Sequence, residues 1–215
     1  MFLMSLPNCR LNEYRIVLAD WHGAESFARN PERFGKIWDG HSSTLKYIHT
    51  HYDEPQVIVL PGDSQSGKWY KREFIDALNS SLSAEEAVYQ AGQNCYRTMK
   101  DLFAFAGFMH LLMAVGDHEL GGNNWQPGSD HTELVPQFRR TFAEGFNTDE
   151  SGSFLFSSSI GTEPSTPIGT PFSSTSYAYQ HNNVLFITVD AFRRMWDAED
   201  GYFDREQGLG GEGML

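Results

Sequence analysis

Apolar and polar residues alternate in blocks along the first half of the chain, and three short apolar runs are each followed by acidic or histidine residues. The runs are Arg15–Ala19, Val57–Leu60 and Leu111–Val115. Short runs rich in aliphatic and β-branched side chains are typical of strands buried inside a sheet. We therefore predict three strands at these positions.

Helical spacing fills the segments between these runs. Apolar positions predict one helix over Ser43–Tyr52 and another over Trp69–Leu78. Ser83 and Glu86 have the spacing of a capping box, and the apolar positions that follow keep a helical period as far as Gly107, which suits a helix end. Strands that alternate with helices predict an α/β fold with a largely parallel sheet.

The last third of the chain changes in composition. Residues from Asn147 to Thr175 are rich in Ser, Gly, Thr and Pro, which predicts a long surface loop. Two strand-like segments, Tyr177–Gln180 and Val184–Val189, flank His181-Asn182-Asn183 and predict a hairpin. The whole pattern predicts one domain over residues 1–215, an α/β fold in which a mixed β-sheet sandwich is flanked by helices.

The polar residues that follow the three apolar runs carry the candidate chemistry. Asp20 and His22 follow the first run, Asp63 the second, and Asp117 and His118 the third. Because ligands bind at the carboxyl ends of strands in open α/β sheets, we expect these side chains at one edge of one sheet. Carboxylate oxygens and imidazole nitrogens are ligands that suit Fe, Mn and Zn.

The ordered set Asp20-Trp21-His22, Gly62-Asp63 and Gly116-Asp117-His118-Glu119 resembles the calcineurin-like metallophosphoesterase superfamily. The pattern of that family runs Asp-x-His, Gly-Asp, then Gly-Asn-His-Asp or Gly-Asn-His-Glu, so Asp117 stands where the family usually has Asn. A lone histidine and a Gly-His-x-His complete the family pattern and are not among these residues. We therefore expect the chain to match the N-terminal two-thirds of the family domain and to lack its C-terminal strands.

The resemblance implies hydrolysis of a phosphomonoester or phosphodiester at a dinuclear centre of divalent or trivalent transition-metal ions, with Fe, Mn or Zn compatible. It implies that Asp20 and His22 bind the first ion, that Asp63 bridges both, and that Asp117 binds the second. It also implies that His118, beside Asp117, assists the phosphate or the leaving group in catalysis. The expected enzyme is a phosphoric ester hydrolase.

Two alternatives remain open from the sequence. Residues Gly62–Lys68 match the spacing G-x-x-x-x-G-K, and Val184–Asp190 resembles a Walker B strand, which together predict a P-loop nucleotide-binding protein. Trp69 stands where such a loop needs Ser or Thr to hold Mg²⁺. The other alternative is a metallophosphoesterase-like scaffold that binds a ligand without turnover.

The net charge and the hydropathy of the chain limit the classes of binding partner that we expect. The net charge is −12 and no run is rich in Lys or Arg, which disfavours nonspecific binding to nucleic acid. A small phosphoester remains compatible, since bound cations would dominate the local field. No stretch is long and apolar enough to span a membrane, and Met1–Pro7 lacks the features of a signal peptide, so the cytoplasm is the default expectation.

Overall fold

The computed structural model describes residues 2–5, 15–18, 25–29, 35–52, 55, 57–108, 110–122, 130–147, 159–160, 163–164, 175–181 and 184–190. Within these residues the chain has a mixed α/β fold, with helices around small sheets. The predicted α/β class is confirmed at that level.

The three predicted strands form one parallel sheet. They are β2 (Arg15–Val17), β3 (Val57–Leu60) and β4 (His110–Met113), in the order β2-β3-β4. β3 pairs in parallel with both neighbours, and all four of its residues are buried. The carboxyl ends of the three strands therefore lie at the same edge of the sheet, as the sequence predicts.

A second, antiparallel sheet has the order β1-β8-β7. The predicted hairpin is confirmed as β7 (Tyr177–His181) and β8 (Val184–Thr188). The third strand of this sheet is β1 (Phe2–Ser5), which pairs with β8 and is not among the predicted strands. Two short strands also pair within the predicted loop, β5 (Ser159–Ile160) and β6 (Glu163–Pro164).

The three helices predicted between the strands are present, with different ends, among the six described helices. They are α1 (Glu25–Arg29), α2 (Gly35–His51), α3 (Arg72–Asn79), α4 (Ala84–Phe105), α5 (Asp130–Glu133) and α6 (Val135–Gly145). The prediction that a helix begins at Trp69 is wrong. Residues Lys68 to Lys71 instead form a turn, and the indole of Trp69 is buried between Phe138 and Tyr96, with ring centroids 5.8 and 6.1 Å away.

The capping box of α4 is confirmed in both directions. The hydroxyl of Ser83 accepts from the amide of Glu86 at 3.2 Å, and the Glu86 carboxylate accepts from the amide of Ser83 at 2.8 Å. These bonds satisfy amides that the first turn leaves without helical partners. They fix the start of the longest helix, which packs against α6 and α1 in the core.

A buried tyrosine joins the two sheets. The hydroxyl of Tyr177 on β7 donates to the carbonyl of Met113 at 2.7 Å and accepts from its amide at 2.8 Å. Within the described residues β4 is an edge strand of its sheet, and this hydroxyl satisfies the amide and the carbonyl of Met113, which face away from β3. Below it, the Tyr179 hydroxyl lies 2.9 Å from His110 Nδ1.

Among the described residues, no helix is both long enough and apolar enough to cross a membrane.

Candidate metal centre

Two turns at the carboxyl edge of the parallel sheet hold the candidate residues. Asp63 follows β3, and Asp117 and His118 follow β4. The ladder continues past the strands, because the amide of Ala114 donates to Leu60 at 2.8 Å. The two turns therefore leave the sheet side by side.

The glycines of both motifs allow this close approach. Gly62 has φ +115° and lies against Gly116, where an added Cβ would come within 2.9 Å of the Gly116 backbone. An added Cβ on Gly116 would overlap the carboxylate of Asp63. Asp63 itself has φ +55°, a left-handed conformation that costs free energy in a residue with a side chain, although Asp tolerates it better than most. The backbone is thus shaped to bring the two acidic motifs together.

Asp63, Asp117 and His118 form one cluster. Each offers a potential ligand atom, and these atoms all lie within 4.8 Å of one another. All three side chains are half-buried, so they are held by the fold and remain reachable from solvent. The structure thus brings together three of the predicted site residues.

Glu119 ties the two turns together from below. Its side chain is fully buried. The carboxylate accepts from the amides of Asp63, Ser64 and Gly116, each at 2.8 Å, and from the Ser64 hydroxyl at 2.7 Å. Burial raises the pKa of Glu119, and these hydrogen bonds oppose that rise.

His118 is oriented by the turn after β3. Its Nδ1 lies 3.0 Å from the carbonyl of Ser66. A carbonyl can only accept, so Nδ1 carries the proton, and a neutral ring has its lone pair on Nε2. Metal-binding and catalytic histidines are commonly fixed by such a bond from the other ring nitrogen.

Several carboxylates lie close together in this cluster, and their charges shift the pKa of their neighbours. Burial raises the pKa of Asp117, and the nearby charge of Asp63 raises it further, against the opposing effect of His118. Burial lowers the pKa of His118, but the hydrogen bond to Ser66 and the charges of the neighbouring carboxylates outweigh it, so the net shift is upward. The neighbouring carboxylate charges contribute an upward shift to the pKa of both groups.

A cation fits this donor set. Oδ2 of Asp117 is buried and makes no hydrogen bond to any described residue. No Lys or Arg in the described part of the chain forms an ion pair with Asp63, Asp117 or Glu119. Buried carboxylate oxygens are costly unless paired or bound to a metal. Hard oxygen ligands with one imidazole suit Mn, Fe or Zn.

The other two predicted ligands, Asp20 and His22, lie outside the described residues. The strand that precedes them is in the predicted place, and the amide of Leu18 donates to Val59 at 2.9 Å. β2 thus leads toward the same edge of the sheet as β3 and β4.

The contacts of Gly62–Lys68 contradict the nucleotide-binding alternative. A P-loop needs its amides free to cradle phosphate, but those of Asp63 and Ser64 donate to Glu119, and that of Gly67 donates to the side chain of Gln65. The helix that should follow the loop directly begins only at Arg72.

The Walker B part of that alternative also fails. β8 lies in the antiparallel sheet and does not neighbour β3. Asp190, just after β8, is buried and paired with Arg139 at 2.9 Å, and it accepts from the Thr175 hydroxyl at 2.8 Å. The Asp190 carboxylate is bound to these side chains inside the protein and is not positioned to bind Mg²⁺.

Sequence reasoning missed the roles of Glu119, Ser64 and Gln65. Glu119 stands inside a recognised motif, yet nothing in the motif shows that it turns inward to bind backbone amides. Gln65 donates to the carbonyl of His118 at 2.5 Å, a second link between the turns. These contacts join residues far apart in the chain, so only the tertiary structure reveals them.

Comparison of the chain with protein-family models, curated proteins and solved structures found no match.

Proposed function

We propose that this protein is a metal-dependent phosphoester hydrolase of the calcineurin-like metallophosphoesterase type. The observation that supports this most is the convergence of Asp63, Asp117 and His118 at the carboxyl edge of a parallel sheet, with candidate ligand atoms within 4.8 Å of one another. Ligands bind at this edge in open α/β sheets. The family's sandwich of two sheets is part of the same proposal.

The carboxylates of Asp63 and Asp117 would hold the cation. Asp63 follows β3, the central strand in the order β2-β3-β4, which supports the proposal that it bridges two ions. Asp20 and His22 are proposed to complete the first ion site from the end of β2. Fe, Mn or Zn bound there would polarise phosphate oxygens and neutralise developing charge.

His118 is proposed to serve the phosphate or the leaving group. Its Nδ1 already donates to the carbonyl of Ser66, so Nε2 is the ring nitrogen that remains for the substrate. In the protonated ring the remaining proton is on Nε2, from which it can be donated to an oxygen of the substrate. The neighbouring Asp117 favours that charged form.

The acidic character of the chain agrees with a small substrate. A net charge of −12 and a cluster of carboxylates repel a phosphoester unless cations are present. Substrate binding and metal binding are therefore coupled in this proposal. We expect no binding of a phosphate analogue to metal-free protein.

The proposal is tested with protein stripped by a chelator and then supplied with Mn²⁺, Zn²⁺ or Fe²⁺. Hydrolysis of p-nitrophenyl phosphate and of its bis ester should appear only with metal. Metal binding without hydrolysis of either ester would indicate the non-catalytic scaffold instead. Hydrolysis that persists without metal would contradict the proposal.

A further inference from the structure

The two turns of the candidate centre are joined by a carboxylate that no solvent or substrate can reach. Glu119 has 0% of its surface exposed. Its Oε2 accepts from the amide of Asp63 in one turn and from the amide of Gly116 in the other, both at 2.8 Å. One oxygen atom therefore spans the boundary between the turns.

Its second oxygen strengthens the same link. Oε1 accepts from the amide of Ser64 at 2.8 Å and from its hydroxyl at 2.7 Å. All these partners are donors, and an ionised carboxylate offers only acceptors, so the group and its surroundings match. The amides of Asp63 and Ser64 belong to the segment whose spacing imitates a phosphate-binding loop, and here an internal anion takes the place of phosphate.

The carboxylate of Glu119 binds the backbone of Asp63, and that backbone sets the direction of the Asp63 side chain, a proposed metal ligand. Asp63 is in a left-handed conformation at φ +55°, which a residue with a side chain keeps only when its surroundings stabilise it. Its amide donates to Glu119, and its own Oδ1 accepts from the amide of His118 at 3.3 Å. The position of Asp63 relative to Asp117 and His118 thus depends on contacts that Glu119 anchors.

We infer that Glu119 is a positioning residue whose buried carboxylate locks the turn after β3 to the turn after β4 and so sets the separation of Asp63 and Asp117. The role in metal binding rests on the proposed function, whereas the lock itself does not. Glu119 is not a catalytic residue, because its burial keeps it from substrate.

Substitutions at Glu119 distinguish the effect of its two acceptor oxygens from the effect of its side-chain volume. Glu119→Gln keeps the size but turns one acceptor into a donor that faces other donors. Glu119→Ala removes the equivalent of an acetate ion, so added acetate should refill the space, whereas acetamide has the shape without the two acceptors. Asp190→Asn is the matched control, since Asp190 is also a buried carboxylate but contacts neither turn.

Two readouts are needed. The first is backbone amide exchange over residues 62–66 and 114–119 in metal-free protein, which reports the lock alone. The second is Mn²⁺ affinity by calorimetry. In Glu119→Gln and Glu119→Ala we expect faster exchange in both segments and affinity weakened by about tenfold or more, as for other residues that orient metal ligands. Acetate, but not acetamide, should reverse both changes in Glu119→Ala, and Asp190→Asn should keep its affinity within about threefold.

Unchanged exchange in the Glu119 variants would overturn the lock, and so would a loss in Glu119→Ala that acetate fails to recover. Mn²⁺ affinity within about threefold of wild type in Glu119→Gln would overturn the positioning role. If Glu119→Ala does not fold, Glu119→Asp should exchange more slowly than Glu119→Gln, and the reverse order would overturn the inference. Wild-type protein that shows the lock but binds no Mn²⁺ would remove the proposed function and leave the lock standing.

Discussion

Two buried carboxylates, Glu119 and Asp190, are held in opposite ways. Asp190 is neutralised by Arg139, whose Nε and Nη2 lie 2.9 and 3.3 Å from its oxygens, and it accepts a hydrogen bond from the hydroxyl of Thr175. Glu119 has no such cation among the described residues and is held by amides and a hydroxyl.

The surroundings of the two carboxylates differ even more. Asp190 follows β8 and forms an ion pair with Arg139 of α6, so its charge is balanced inside the protein. Glu119 lies beneath Asp63 and Asp117, so negative charge accumulates at that edge of the sheet. This contrast supports the proposal that an external cation binds at the second site, where one buried acid lies beside two more acids.

The largest effect is expected from Asp63→Asn. It removes a charge from the residue that serves both proposed ions, so metal binding and ester hydrolysis should fall to background. The fold should survive, since the side chain is half-exposed and Asn also tolerates a positive φ. Calorimetric metal titration, hydrolysis rate and circular dichroism check this. Near-normal turnover would remove Asp63 from the centre.

Asp190→Asn should act on stability and spare the centre. It removes one charge of the buried Arg139–Asp190 ion pair, and breaking such a pair typically costs about 3–5 kcal/mol. Urea unfolding should show that loss, while the metal affinity of the remaining folded protein stays the same. A loss of metal affinity without a loss of stability would mean that the two regions are not distinct.

Tyr177→Phe should also lower stability without affecting metal. It leaves the amide and carbonyl of Met113 without their buried partner, at a cost of about 1–3 kcal/mol. Burial raises the pKa of Tyr177, so its neutral form is favoured by folding. This contribution is complete below the ordinary tyrosine pKa of about 10 and is lost as pH rises beyond it.

The pH dependence of the stabilisation by the Tyr177 hydroxyl can be measured. Between neutral pH and about pH 11, wild-type stability should fall more steeply than that of Tyr177→Phe, so the difference between them shrinks as pH rises. Denaturant unfolding at several pH values reports both curves. Parallel curves would show that the hydroxyl is not buried in the protein in solution.

The smallest effect is expected from Asp117→Asn. Asn keeps one oxygen that can bind a cation and restores the residue usual in the resembling family. Hydrolysis should stay within about tenfold of wild type, or ~1.4 kcal/mol in the barrier. Asp117→Ala removes both oxygens and should be much worse. If Ala and Asn behave alike, Asp117 is not a ligand.

The sequence predicts the strands of the parallel sheet well because each strand can be recognised from its own residues. Val57–Leu60 is a buried apolar run bounded by turn residues, and the structure has a strand over the same residues. The capping box at Ser83 is equally local, since its partners are three residues apart. Such features need no knowledge of the rest of the fold.

The missed features depend on distant partners. β1 forms by pairing with β8 at the other end of the described chain, and the turn at Trp69 forms because its indole packs against Phe138. In the centre, the motifs identify Asp63, Asp117 and His118 by residue type and spacing. They do not show that Glu119 binds the amides of the neighbouring turn.

The proposed hydrolase requires a cation bound between Asp63 and Asp117. The most direct test is a crystal structure of wild-type protein soaked in Mn²⁺, with anomalous data that locate the ion. We predict an anomalous peak coordinated by carboxylate oxygens of both residues, above the turns that Glu119 joins. A well-ordered edge of the sheet with no peak at these carboxylates, at a Mn²⁺ concentration that saturates binding in solution, would contradict this cation site.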